Sequence, residues 1–162
     1  SVKSLLSLQN KNILITGGSG FLGSYFAQAI CEMGGTPILL DVDEATIEQS
    51  IGSLEKEGFK AKGYVLNITN KNQIEEVISL IVRKDKRIDG LVNAAAFAMK
   101  DMSESDENFF EEFEDYDRNL WQLAIDVNLT GTFLMADKVS FSFFRILFIL
   151  GRMSSILLLK NN

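Results

Sequence analysis

The sequence predicts an α/β fold: a doubly wound parallel sheet with helices on both faces, three layers (α/β/α) in all. Three observations predict it. Short apolar runs and helical stretches alternate as β-α-β-α-β-α-β over the first 96 residues, the mark of a parallel sheet covered on both sides. The first two runs, "NILIT" and "PILLDV", are mostly apolar, as in strands buried on both faces. A glycine cluster separates the first strand from the first helix.

The elements follow in order. "NILIT" (Asn12–Thr16) is a short apolar run ending at glycines, hence a buried strand. Phe21–Met33 reads as a helix with Leu22, Phe26, Ala29, Ile30 and Met33 on one face, stopped by Gly34 and Gly35. Pro37–Val42 is a second buried strand. Asp43 caps a helix running to Glu57, which Gly58 ends. Lys60–Thr69 is a third strand. Thr69 or Asn70 then caps a helix carrying Ile74, Val77, Ile78, Ile81 and Val82 on one face. Ile88–Ala96 is a fourth strand that closes in small residues.

Beyond it, Asp101–Asp117 is strongly acidic and reads as a solvated loop with a short helix; a lid on the substrate side is the sharper alternative. Asp117 caps a helix from Arg118 to Val139 carrying Leu120, Leu123, Ala124, Val127, Gly131, Leu134 and Met135. The stretch Phe141–Asn162 lacks strand alternation and acidic residues. Its apolar window holds Arg145 and Arg152, each costing roughly 2.5–3.5 kcal/mol near the centre of a membrane helix. A buried helix and strand, or non-native sequence, is expected there rather than a membrane span. The expected organisation is one domain over residues 1–139 and an apolar tail over 140–162.

Composition narrows the function. Apolar residues are 46% of the 162, enough for a sizeable core. A net charge of −6 argues against nucleic acid as a partner, but not against one small anion held by backbone N–H groups. The chain has no histidine, which removes Ser-His and Cys-His nucleophile systems and every His-ligated metal site. No metal is expected. Cys31 is the single cysteine, so no internal disulfide forms, which fits a cytoplasmic location. The start is polar after one short apolar patch and shows no signal peptide. The first residue is Ser1 rather than Met, as in a fragment or a processed chain.

Gly18-Ser19-Gly20-Phe21-Leu22-Gly23 follows a strand and opens a helix, the context in which GxGxxG binds a dinucleotide. One glycine permits the tight turn, a second lets backbone approach a pyrophosphate, and a third lets helix pack on strand. Free N–H groups at the helix start hold the phosphate charge. Gly23 is followed by Ser24-Tyr25, with no lysine to reach a β- or γ-phosphate, so a P-loop triphosphatase is disfavoured. Asp41 closes the second strand about 20 residues on, where a carboxylate accepts hydrogen bonds from the adenosine ribose and repels a 2′-phosphate. That favours NAD over NADP. Asp41 could instead be a helix cap, but Asp43 is better placed for that.

These residues, with later motifs, carry a family resemblance. "TGGSGFLG" (Thr16–Gly23), "LLDVD" (Leu39–Asp43), "LNIT" (Leu66–Thr69), "DGLVNAAA" (Asp89–Ala96) and "WQLAIDVNLTGTF" (Trp121–Phe133) resemble the short-chain dehydrogenase/reductases, in family order and spacing from Asn10 to Lys138. A narrower resemblance is to oxidoreductases of flagellin and surface-sugar modification. The spacing of Thr16, Gly17, Gly20 and Gly23 is similar to the extended branch of nucleotide-sugar epimerases and dehydratases. "NAAA" and "DVNLTG" resemble the single-domain oxidoreductase branch and outweigh it.

The resemblance implies a Rossmann-type fold, incomplete at its C-terminus, and NAD as cofactor. It places Gly17, Ser19, Gly20, Phe21, Leu22 and Gly23 around the pyrophosphate and Asp41 on the adenosine ribose. Asn67, where the family usually has Asp, and Ile68 would lie on the adenine. Asn93, Ala94 and Ala95 would lie under the nicotinamide-side ribose. Asn128 is the implied catalytic residue, bending its helix and holding a water in a proton relay. The substrate implied is a small alcohol or carbonyl compound, a sugar derivative among the options, with a homo-oligomer as the assembly.

The family's acid–base tyrosine is followed by lysine four residues later, because a phenol needs a nearby cation to work near neutral pH. Tyr25, Tyr64 and Tyr116 are followed at that spacing by Ala29, Ile68 and Leu120. After Lys138 the family pattern stops, so the Ser-Tyr-Lys part of the site is expected to be lacking. The leading expectation is an NAD-dependent oxidoreductase, catalytically incomplete as this chain stands. The alternatives are an extended-branch sugar-nucleotide enzyme and a non-catalytic dinucleotide-binding pseudoenzyme.

Overall fold

A computed structural model describes residues 6–97 and 117–140. The strands are β1 (Asn12–Thr16), β2 (Thr36–Asp41), β3 (Lys62–Val65) and β4 (Gly90–Asn93). They form one parallel sheet in the order β3-β2-β1-β4. The helices are α1 (Phe21–Glu32), α2 (Glu44–Lys56), α3 (Lys71–Asp85) and α4, which starts at Arg118–Ile125 and continues helically through residue 140.

Strand alternation sorts the helices into two layers. Ile13, Ile15 and Leu39 point to one face and pack with Ala27, Ile30 and Cys31 of α1 and Leu54 of α2. Leu14, Ile38 and Leu40 point to the other and pack with Ile74, Ile78 and Ile81 of α3 and Met135 and Val139 of α4. Both sheet faces are therefore covered, as the apolar strands require.

Local chemistry sets the helix ends. Asp43 accepts from the N–H groups of Ala45 and Thr46 at the start of α2. Asn70, not Thr69, caps α3 through Gln73 N. Asp117 caps α4 through Asn119 N. Gly34 and Gly58, at φ of +84° and +85°, follow α1 and α2 in a conformation that side chains disfavour.

Two expectations need correction. On α1 the buried residues are Gly23, Ala27, Ile30 and Cys31, not the face through Leu22, Phe26, Ala29 and Met33. Strands β3 and β4 are shorter than Lys60–Thr69 and Ile88–Ala96; past them, Asn67 N turns to Gln73 Oε1 and Ala95 N to Thr16 Oγ1. The last helix carries a π-helical turn at Asp126–Gly131, around the Asn128 that the resemblance implies as a bend; such turns often mark functional sites. Residues 98–116, most of the acidic stretch, and the tail from 141 lie outside the described residues.

At the opposite end of the sheet, Asp89 ties β1 to β4. It accepts from Asn12 N at 2.9 Å and from Lys11 Nζ at 3.3 Å, and it pairs with Arg87. Burial pushes its carboxyl up, but the bonds from Arg87, Asn12 and Lys11 outweigh that and hold it below its ordinary value. A depressed native pKa gives stability that is present above the unfolded value and lost as pH falls through the native one. Asp89→Asn is therefore expected to lower the melting temperature at pH 7, and the gap to wild type should close as pH falls below the ordinary carboxylate range. A gap that persists unchanged at acid pH would show that shape, not charge, is responsible.

Candidate functional site

A cleft of about 480 Å³ opens across the carboxyl ends of the strands. It lies where the order β3-β2-β1 gives way to β4, the switch point at which open α/β sheets bind ligands.

The glycine turn forms its centre. Gly17, at φ +62°, follows β1, and a Cβ there would lie 2.7 Å from Ala95 Cα. At Gly18 a Cβ would come within 2.9 Å of Ile15 O and of Leu39. At Gly23 it would lie 2.1 Å from Gly17 O, so only a glycine lets α1 sit on the turn. Gly20 differs: the single atom near its Cβ position is Gly17 O at 3.2 Å. Three glycines thus serve packing within the protein, and Gly20 lines the cleft. Gly20 is also the α1 cap, without a side-chain cap bond and with no acidic residue in the first turn. The first N–H groups of the helix are left to a ligand.

Asp41 stands at the end of β2 in the cleft wall. Its Oδ2 accepts from Ser19 N at 3.1 Å and from Ser19 Oγ at 2.6 Å, and its Oδ1 accepts from Val42 N at 2.8 Å. Ser19 Oγ is also 2.9 Å from Thr46 Oγ1. Three donors hold the carboxylate in one orientation, with lone pairs left over for a ligand.

On the other flank, Thr16 is buried beneath the turn. Its Oγ1 accepts from Ala94 N and Ala95 N, each at 3.2 Å, carrying the chain past β4 into the cleft. Asn128 sits in the π-helical turn of α4. Its Oδ1 accepts from Phe97 N at 2.7 Å and its Nδ2 donates to Phe97 O at 3.1 Å. Gly131 lets α4 approach the strand ends, since a Cβ there would lie 2.7 Å from Ile68 Cγ1.

The structure brings Gly17, Gly20, Phe21, Leu22, Gly23, Asp41, Asn67, Ile68, Ala94 and Ala95 together on this cleft. Three expected residues stand apart from its lining: Asn128, whose neighbours Val127 and Phe97 line it instead, Ser19 and Asn93. Ser19 lies behind Asp41, and its hydroxyl is spent on that carboxylate. Asn93 is exposed at the end of β4, in register with Thr16. Leu40, Val42, Leu66, Ala96, Phe97 and Val127 also line the cleft; for Val42 and Val127, adjacency to Asp41 and Asn128 was the only signal in the sequence.

Tyr64 and Tyr25 do not line the cleft. Burial first and the Asp85 charge second push the Tyr64 phenol above its ordinary value, away from acid–base work near neutrality. Tyr25 lies edge-to-face with Phe21 on the exposed side of α1. Among the described residues no cluster of acidic, cysteine or histidine side chains could hold a metal, and no helix is long and apolar enough to cross a membrane.

Comparison with known proteins agrees with this geometry. The chain is 30% identical over 138 residues to a 3-oxoacyl-(acyl-carrier-protein) reductase of Thermotoga maritima, covering 83% of this chain and 50% of that one. It is 29% identical over 139 residues to the 5-keto-D-gluconate 5-reductase of Escherichia coli K12, covering 86% and 51%. An NAD+-bound xylitol dehydrogenase superposes with a TM-score of 0.72 at 26% identity, over 82% of this chain and 48% of the other. The chain thus spans about half the length of the curated relatives it matches. With the short chain dehydrogenase profile matching residues 11–145, and with the glycine turn, the strand-end carboxylate and the parallel sheet all in place, the chain belongs to the short-chain dehydrogenases.

Proposed function

We propose that the cleft binds NAD and that the chain is the cofactor-binding part of an oxidoreductase acting on a small alcohol or carbonyl compound. The observation that carries this is Asp41: a carboxylate fixed by Ser19 and Val42 at the end of β2 suits a ribose diol and opposes a 2′-phosphate. The glycine turn fits the rest of such a molecule, because Gly20, at the start of α1, lines the cleft with no side chain to fill it.

When bound, the nicotinamide would accept or deliver hydride. The chain's own residues bind and orient. The amides at Phe21, Leu22 and Gly23 hold the pyrophosphate, Asp41 holds the ribose, and Asn67 and Ile68 meet the base. Ala94 and Ala95 are small enough to let the second ribose lie against backbone, with Asn93 beside them at the end of β4, while Ser19 in the turn steadies Asp41. Asn128 keeps one N–H and one acceptor site beyond its bonds to Phe97, enough to hold a relay water.

The substrates named for the relatives above, 5-keto-D-gluconate and a 3-oxoacyl thioester carrier, bear carbonyl groups, which supports that substrate class. Exposed Trp121, Leu129 and Phe133 on α4 support a homo-oligomer formed through this helix, and the free, buried Cys31 suits a reducing cytoplasm. A second reading, binding without turnover, is favoured by the lack of any tyrosine with a lysine four residues on.

Titration calorimetry tests both readings. NAD is expected to bind and NADP to bind more weakly; heat from neither would end the dinucleotide assignment. Turnover of NAD with any alcohol would remove the second reading.

A further inference from the structure

Asn67 ends the cleft on the β3 side, and its amide has a fixed direction. Its Oδ1 lies 2.9 Å from Thr69 N and 2.8 Å from Thr69 Oγ1. A backbone N–H can only donate, so the atom facing it must be the carbonyl oxygen and the amide cannot be reversed. The N–H of Asn67 itself is taken by Gln73 Oε1 at 2.9 Å. What Asn67 offers to the cleft is Nδ2, with two N–H groups and no protein partner among the described residues.

The sheet order says what meets it. Gly17 and Gly20 stand at the end of β1, Asp41 at the end of β2, and Asn67 just past β3, on three adjacent strands about 4.8 Å apart. A nucleotide with its phosphate on the turn and its ribose on Asp41 must carry its base to the β3 end, between Val42, Leu66 and Ile68.

We propose that Asn67 makes this a donor-presenting base site, so that a dinucleotide with a 6-oxopurine binds at least as well as one with a 6-aminopurine. This rests on the dinucleotide reading above. A carboxylate at this position would accept from the amino group at C6 of adenine. The Asn67 amide meets that amino group donor to donor, leaving adenine only its ring nitrogens as acceptors. An oxo group at C6 accepts from Nδ2 directly.

The test is calorimetric titration of the full chain with NAD and with nicotinamide hypoxanthine dinucleotide, on wild type and on Asn67→Asp. Wild type should bind the hypoxanthine compound as tightly as NAD or tighter, by up to about fivefold, the value of one neutral hydrogen bond. Asn67→Asp retains the acceptor for Thr69 and should move the ratio toward NAD by about fivefold or more. Tighter NAD binding by wild type, or a ratio that Asn67→Asp leaves in place, overturns the proposal while the dinucleotide reading stands. If neither compound binds wild type, the dinucleotide reading falls and the base assignment falls with it. Should the variant fail to melt cooperatively, the wild-type ratio decides alone.

Discussion

Gly23→Ala is expected to abolish dinucleotide binding and to destabilise the fold by about 3 kcal/mol, the upper range for overpacking. The added methyl would lie 2.1 Å from Gly17 O, 2.8 Å from Gly18 Cα and 2.9 Å from Gly17 C. All three are backbone atoms, so no side-chain rotation relieves the clash. Either α1 lifts from the turn or the turn opens, and both displace the N–H groups at Phe21, Leu22 and Gly23. Gly52→Ala is the matched control. It lies inside α2 with nothing within 4 Å of its Cβ position, and it should stabilise the chain by about 1 kcal/mol through helix propensity alone. Thermal melts and NAD calorimetry on the two variants separate the effects. A Gly23→Ala protein that melts and binds like wild type would refute the packing account of the turn.

Asp41→Ala should weaken NAD binding by about 10- to 100-fold, since hydrogen bonds to a charged group are worth roughly 1.5–3 kcal/mol. NADP should lose far less, because the repulsion of its 2′-phosphate goes with the carboxylate. The ratio of the two affinities is the quantity to measure. Ser19 N, Ser19 Oγ and Val42 N all donate to Asp41, so the variant also releases part of the glycine turn. A general loosening would weaken both cofactors alike, whereas a ribose contact changes their ratio.

The order of strands and helices and the glycine turn were legible because they rest on local signals: apolar runs, cap residues, and glycines where a side chain has no room. The phase of α1 was not. Phe21, Leu22, Tyr25 and Phe26 make its outer side as apolar as its inner one, and Leu22 is 59% and Phe26 42% exposed. The turn decides the phase: Gly23 must lie on Gly17, which brings Ala27, Ile30 and Cys31 to the sheet. Small residues mark the buried face there, and a count of large apolar ones points elsewhere.

Two further features depend on contacts that sequence spacing does not carry. Ser19 was expected against the ligand because it stands within the glycine cluster, but Asp41, on another strand, claims its hydroxyl. The π-helical turn at Asp126–Gly131 leaves no mark in the spacing of apolar residues, and only the resemblance, which implies a bend at Asn128, points to it. It coincides with the bonds of Asn128 to Phe97 and with the close approach of Gly131 to Ile68.

The paired bonds between Asn128 and Phe97 have a thermodynamic consequence. Phe97 and Val127 both line the cleft, so part of its wall beyond β4 depends on α4 being docked on the sheet. Occupancy of the cleft and docking of α4 are then linked equilibria. A ligand that fits the cleft only with α4 docked would draw the helix onto the sheet by mass action, by about 2.7 kcal/mol at a concentration a hundredfold above its Kd. The helix would serve as a gauge of how full the cleft is.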